Sequence, residues 1–160
     1  MSKQSNKDYY QVDALGWGKL LGTVELSSSP ASAAGSAANT TGKNYFARFY
    51  SPVSAIGQTI KTGIHAGNKY ELKFNIANDS ATGFFAATVN FLNDAGVPLG
   101  APSSTGIKLS EIQDGNYSPV SFVTEAAPEG TTQAQLVFVA VGTSPEKCVD
   151  INRVIFKEVL

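Results

Sequence analysis

Between Asn68 and Ala77 the chain alternates without a break: Tyr70, Leu72, Phe74 and Ile76 are apolar, and Glu71, Lys73 and Asn75 between them are polar. Successive side chains of an extended backbone point to opposite faces, so a period of two predicts a strand with one face in a core and one in water. The pattern returns from Gly83 to Leu92, where Phe85, Ala87, Val89 and Phe91 share a face. Asn93-Asp94-Ala95-Gly96 then gives a turn, and Leu99-Gly100-Ala101-Pro102 closes a hairpin-like excursion. Further strands are predicted over Tyr45 to Tyr50, Gly57 to Lys61, Tyr117 to Thr124, Thr132 to Val141 and Val149 to Val159. Helix signals are almost absent. Short strands parted by Gly, Pro and Asn turns at this spacing predict an all-β sandwich or barrel.

The length of 160 residues suits one domain spanning residues 1–160. Residues 27–44, SSSPASAAGSAANTTGKN, read as a long crossover loop rather than a linker, because the strands before them, from Tyr9 to Leu26, cannot make a domain alone. The net charge of −1 gives no electrostatic reason to expect nucleic acid or an anionic membrane. No stretch reaches the ~18 apolar residues of a membrane helix. The opening MSKQSNKDYYQVD has no apolar run, so the expectation is synthesis in the cytoplasm without a signal peptide. Cys148 is the one cysteine; it has no partner for an intrachain bridge and reads as a small buried apolar residue.

Chemistry-bearing patterns are sparse. His65, the single histidine, falls in the turn Gly63-Ile64-His65-Ala66-Gly67 beside no nucleophile motif. Glu25, Asp79, Asp94, Glu111 and Asp114 fall in predicted turns or strand edges, and nothing singles out the facing carboxylate pair of a glycosidase. Gly16-Trp17-Gly18 lacks the rest of a nucleotide fingerprint. The expectation is a non-enzyme with no cofactor.

Two strands are apolar on both faces. If Tyr45, Ala47 and Phe49 point inward, Phe46, Arg48 and Tyr50 point outward. On the strand from Thr132 to Val141 the inward set is Ala134, Leu136, Phe138 and Ala140, which leaves Val137, Val139 and Val141 outside; Phe84 likewise falls opposite Phe85. Aromatic residues beside polar groups can stack a sugar, which nominates Trp17, Phe46, Arg48, Tyr50 and Phe84. A valine patch instead suggests burial against another subunit, or under loop 27–44.

In chain order come Tyr10-Gln11, Gly16-Trp17, Gly42, Phe46-Ala47-Arg48-Phe49, Gln58-Thr59-Ile60, Ala66-Gly67-Asn68-Lys69-Tyr70-Glu71-Leu72, Phe91 to Gly96, Pro128-Glu129-Gly130-Thr131, Ala134-Gln135-Leu136 and Ile151-Asn152-Arg153-Val154. Their order and spacing resemble the jelly-roll carbohydrate-binding modules appended to bacterial glycanases, and related firmicute and phage surface domains. The resemblance covers nearly the whole chain and implies a two-sheet antiparallel jelly-roll sandwich. In that family a Glu in the first motif and an Asp in the last strand commonly sit near a structural calcium. Here those positions read Gln11 and Asn152, which removes two carboxylates from a hard cation's site, so no metal is expected. The amides are expected to join the terminal strands to each other instead.

Two functions follow from this reading. One is a non-catalytic structural or interaction protein that self-assembles or decorates a virion, spore or cell surface, with Val137, Val139 and Val141 at the contact. The other is a free-standing, receptor-binding glycan module.

Overall fold

The computed structural model describes residues 9–12, 18–22, 24–27, 46–112 and 114–159. Within them lie eleven strands: β1 Tyr9–Val12, β2 Gly18–Leu21, β3 Val24–Ser27, β4 Phe46–Phe49, β5 Val53–Ile60, β6 Lys69–Asn78, β7 Phe84–Leu92, β8 Pro98–Lys108, β9 Ser118–Val123, β10 Gln133–Val141 and β11 Val149–Val159. A 3-10 turn at Leu109–Glu111 follows β8.

The strands form two antiparallel sheets. One runs β3-β4-β11-β6-β9, with β1 also on β11; the other runs β2-β5-β10-β7-β8. From β4 to β7 the chain changes sheet at every connection, and it does so again from β8 to β11. Strands that trade sheets in this way make a jelly roll. The fold is all-β, as the alternation predicts.

The inward faces are the predicted ones. Tyr70, Leu72, Phe74 and Ile76 of β6 are buried, and so are Ala134, Leu136, Phe138 and Ala140 of β10. Ala47 and Phe49 of β4 join them. Four phenylalanines hold the centre. Phe85 meets Phe49 edge-on at 5.3 Å and stacks on Phe138 at 5.8 Å, and Phe138 meets Phe74 edge-on at 5.1 Å. Burying each such ring stabilises the fold by about 1.5–3 kcal/mol. Tyr70 stacks on Phe156, and its hydroxyl accepts a bond from the His65 backbone N–H at 2.7 Å, so the buried ring keeps its polar end satisfied.

Two local devices set the geometry. Between Asn152 and Ile155 the register of β11 shifts, with Arg153 at φ 53°. Before this bulge β11 pairs with β4; beyond it β11 pairs with β1 on the same edge. The bulge thus lets one long strand serve two short neighbours. At the other end of the sandwich, a Cβ on Gly83 would collide with the Val141 carbonyl, and Gly142 (φ 88°) packs against Gly83. This close approach locks the start of β7 to the end of β10 and fixes where Phe84 stands.

Candidate functional site: the outer face of the five-stranded sheet

Backbone register converts the outer face of the β2-β5-β10-β7-β8 sheet into rows. The first row is Val53, Val141, Phe84, Lys108; the second is Ala55, Val139, Ala86, Gly106; the third is Gly57, Val137, Thr88, Ser104; the fourth is Thr59, Gln135, Asn90. On β5, β7 and β8 the two middle rows carry only alanine, glycine, threonine and serine, and on β10 they carry valine as the first row does; the longer side chains of Phe84 and Lys108 flank them on one side and those of Gln135 and Asn90 on the other. The face is therefore a trough that crosses the strands. One wall is apolar: Phe84 is 56% exposed and Val141 41%. The other wall is amide, with Asn90 Nδ2 donating to Gln135 Oε1 at 3.2 Å. At neighbouring-strand spacings of ~4.8 Å, the floor from Ala55 to Gly106 is ~14 Å long.

The floor is not uniform along its length. Ala55 points outward yet is only 5% exposed, Val139 and Ala86 are half-buried, and Gly106 is open, with nothing within 4 Å of where its Cβ would be. On the β2 side, Leu20 lies over Gly57. Lys108 is the one charged residue among the four rows.

The outer face of the other sheet carries a different arrangement. Arg48 donates through Nε and Nη2 to the two carboxylate oxygens of Asp150, at 2.8 and 2.9 Å. Asp150 is fully buried and Arg48 is a quarter exposed. Tyr50 and Tyr117 pack against Ala77 and Cys148 on the same side. Burial, and then the Asp150 carboxylate, push the Tyr117 phenol well above its ordinary range, and the same two causes raise the Cys148 thiol. This arrangement is a solvent-shielded cross-link between strands.

The sugar-stacking set nominated from the sequence is thus divided. Phe46 and Arg48 lie on β4 of the six-stranded sheet, with Tyr50 directly after it, whereas Phe84 lies on β7 of the other sheet. Arg48 already engages its guanidinium fork with Asp150, which corrects its expected place in an open platform. Trp17, and the crossover loop at 27–44 apart from Ser27, lie outside the described residues. Val137, Val139 and Val141 do share Phe84's face, with Val137 and Val139 half-buried and Val141 exposed. Sequence reasoning missed Gly106, Ser104, Asn90 and Gln135, because a row across four strands is invisible within any one strand.

Gln11 and Asn152 are not paired. Gln11 stands opposite Ile155, while Asn152 pairs with Phe46 and Asn75, and its buried Oδ1 has no hydrogen-bond partner. Backbone pairing of β1 with β11 joins the terminal strands, and the side chain of Gln11 lies outside the described residues. Calcium asks for several oxygens, carboxylates above all. No group of three His, Cys, Asp or Glu that could hold a metal ion occurs among the described residues. Asp114 serves the fold, because it accepts bonds from the Ser80 N–H and Oγ–H, both at 3.1 Å, and so holds Ser80 at φ 65°.

No family model and no curated protein sequence matches the chain. Among solved structures, the C-terminal family 22 carbohydrate-binding module of Clostridium thermocellum Xyn10B superposes with a TM-score of 0.64 at 12% identity, over 98% of this chain and 96% of the module. The chain has the fold of a jelly-roll carbohydrate-binding module. The family 11 module from C. thermocellum, solved with a β-1,3-1,4-mixed-linked tetrasaccharide, gives 0.58 at 12% identity over 96% of this chain and 97% of that one. The enzymatically active domain of bacteriophage CBA120 tailspike protein 4 gives 0.68 at 16% identity over 92% of this chain, which spans only 20% of the tailspike chain. The resemblance to these modules and to a phage surface protein agrees with the order of motifs in the sequence.

Proposed function

We propose that the chain is a non-catalytic glycan-binding module whose ligand lies in the trough on the five-stranded sheet. The observation that carries this reading is the pairing of an exposed aromatic wall with an amide wall across a floor of small side chains. Phe84 offers a ring face and edge for a sugar's C–H surface. Asn90 Oδ1 and Gln135 Nε2, left over from their mutual bond, together with the hydroxyls of Thr88 and Ser104, offer partners for ligand hydroxyls. Fold likeness to binding modules along their whole length supports the same reading. The test is retardation in native gels cast with soluble mixed-linked β-glucan, xylan or galactan. Wild type should be slowed by one of them, and Phe84→Ala should migrate as in a blank gel. Equal migration of wild type in all gels would sink the proposal.

The exposed row Val53, Val141 and Phe84 favours a second reading, in which this ridge seats against another copy or a particle surface. The sandwich would then be displayed on a virion, spore or cell surface. Sedimentation at rising concentration separates the two. A constant monomer mass favours the glycan module. A larger mass that Val141→Lys returns to the monomer favours assembly.

A further inference from the structure

We infer that the trough is blind at its β5 end and open at its β8 end, so that it receives the terminus of a glycan chain rather than an internal stretch. The inference deepens the glycan reading and rests on it. Its basis is the gradient along the second row. Ala55 faces the trough but is closed off, Val139 and Ala86 are half-covered, and Gly106 meets open space. Four strands in register at ~4.8 Å give this row its ~14 Å floor. A chain threading straight through would need clearance at both ends, and the exposed Leu20, which stands over Gly57 beside the sunken Ala55, denies it at one. The remainder of the ligand must leave across Gly106, where the missing side chain lowers the rim, and beside Lys108. The rows carry no carboxylate, and Lys108 stands at the mouth, so the emerging chain is neutral or anionic.

Gly106 provides the handle. It sits on an edge strand, with no positive φ and no neighbour within 4 Å of a built Cβ, so Gly106→Leu costs the fold little while filling the exit. The experiment uses the full chain with soluble mixed-linked β-glucan, xylan and galactan of defined length, and with an oligosaccharide of each. Titration with detection by sedimentation counts proteins per polymer. End-on binding predicts one protein per polymer chain, and an affinity per chain that no longer rises beyond a short oligosaccharide. It also predicts that Gly106→Leu weakens binding about tenfold or more, ~1.4 kcal/mol, with an unchanged melting temperature. Several proteins on one chain, or wild-type affinity in Gly106→Leu, overturns the end-on reading and leaves glycan binding standing. Failure of all three glycans to bind overturns the glycan reading itself.

Discussion

Arg48 shows how a residue nominated from the sequence as a ligand contact can act, paired with Asp150, as a strut in the fold. Removing the guanidinium leaves a fully buried carboxylate with its main counter-charge gone. Losing one partner of a buried pair costs about 3–5 kcal/mol; with Arg48 a quarter exposed, Arg48→Ala should cost about 2–4 kcal/mol. Urea midpoints measure this, and glycan retardation should be untouched because the pair lies on the other sheet. A fall below about 0.5 kcal/mol would show the pair to be solvated. Tyr117 beside it sets an alkaline limit. Its folded phenol titrates above the ordinary 10.0, so the folded chain keeps a proton that the unfolded chain releases. The stabilisation is complete below pH about 10 and is lost as pH rises further. Tyr117→Phe should flatten that alkaline decline in a series of urea midpoints; an identical decline would assign it elsewhere, with Cys148 the next group shifted the same way.

At the scale of elements, β7 and β10 put a core side and an outward side on the same strands. Phe138→Ala removes a ring at the centre of the aromatic cluster and should cost about 3–5 kcal/mol. Phe84→Ala, on an exposed position of the neighbouring strand, should change stability by less than about 0.5 kcal/mol. Denaturation of both variants checks the contrast, and a large loss for Phe84→Ala would mean the ridge is covered. The alternation that exposes this contrast was legible in the sequence: β6, β7, β9 and β10 fall within a residue of the predicted limits, and β11 matches them. β8 was not legible. PLGAPSSTGIK has two prolines, two glycines and no apolar alternation, as befits an edge strand that buries little. β5 starts earlier than its predicted Gly57 because Val53-Ser54-Ala55 carries no period; Ser54 turns a hydroxyl into the core instead. Periodicity tells which side of its own strand a residue takes, but not which sheet that strand joins. Phe46, Arg48 and Tyr50 were therefore grouped with Phe84, although β4 and β7 belong to different sheets.

For the molecule as a whole, the terminal strands are tied by β1–β11 backbone pairing, and the described residues bring no carboxylate set together beside Asn152. The melting temperature should therefore stay unchanged when a chelator is added, since a bound ion stabilises only by mass action on the folded state. A drop of many degrees, reversed by calcium, would locate a metal after all.

The parity of the strands has a consequence for how such a chain can change over generations. Each residue of the trough has neighbours in its own strand that belong to the core, yet the two sets share no side-chain packing across the sheet plane. Substitutions at Ala86, Thr88, Ser104 or Gly106 can thus accumulate with little toll on folding, while Phe85, Ala87 and Phe138 stay put. Lineages built on this scaffold are free to vary this outer face faster than they drift in shape, and a directed library confined to the second and third rows should yield folded members at a high rate.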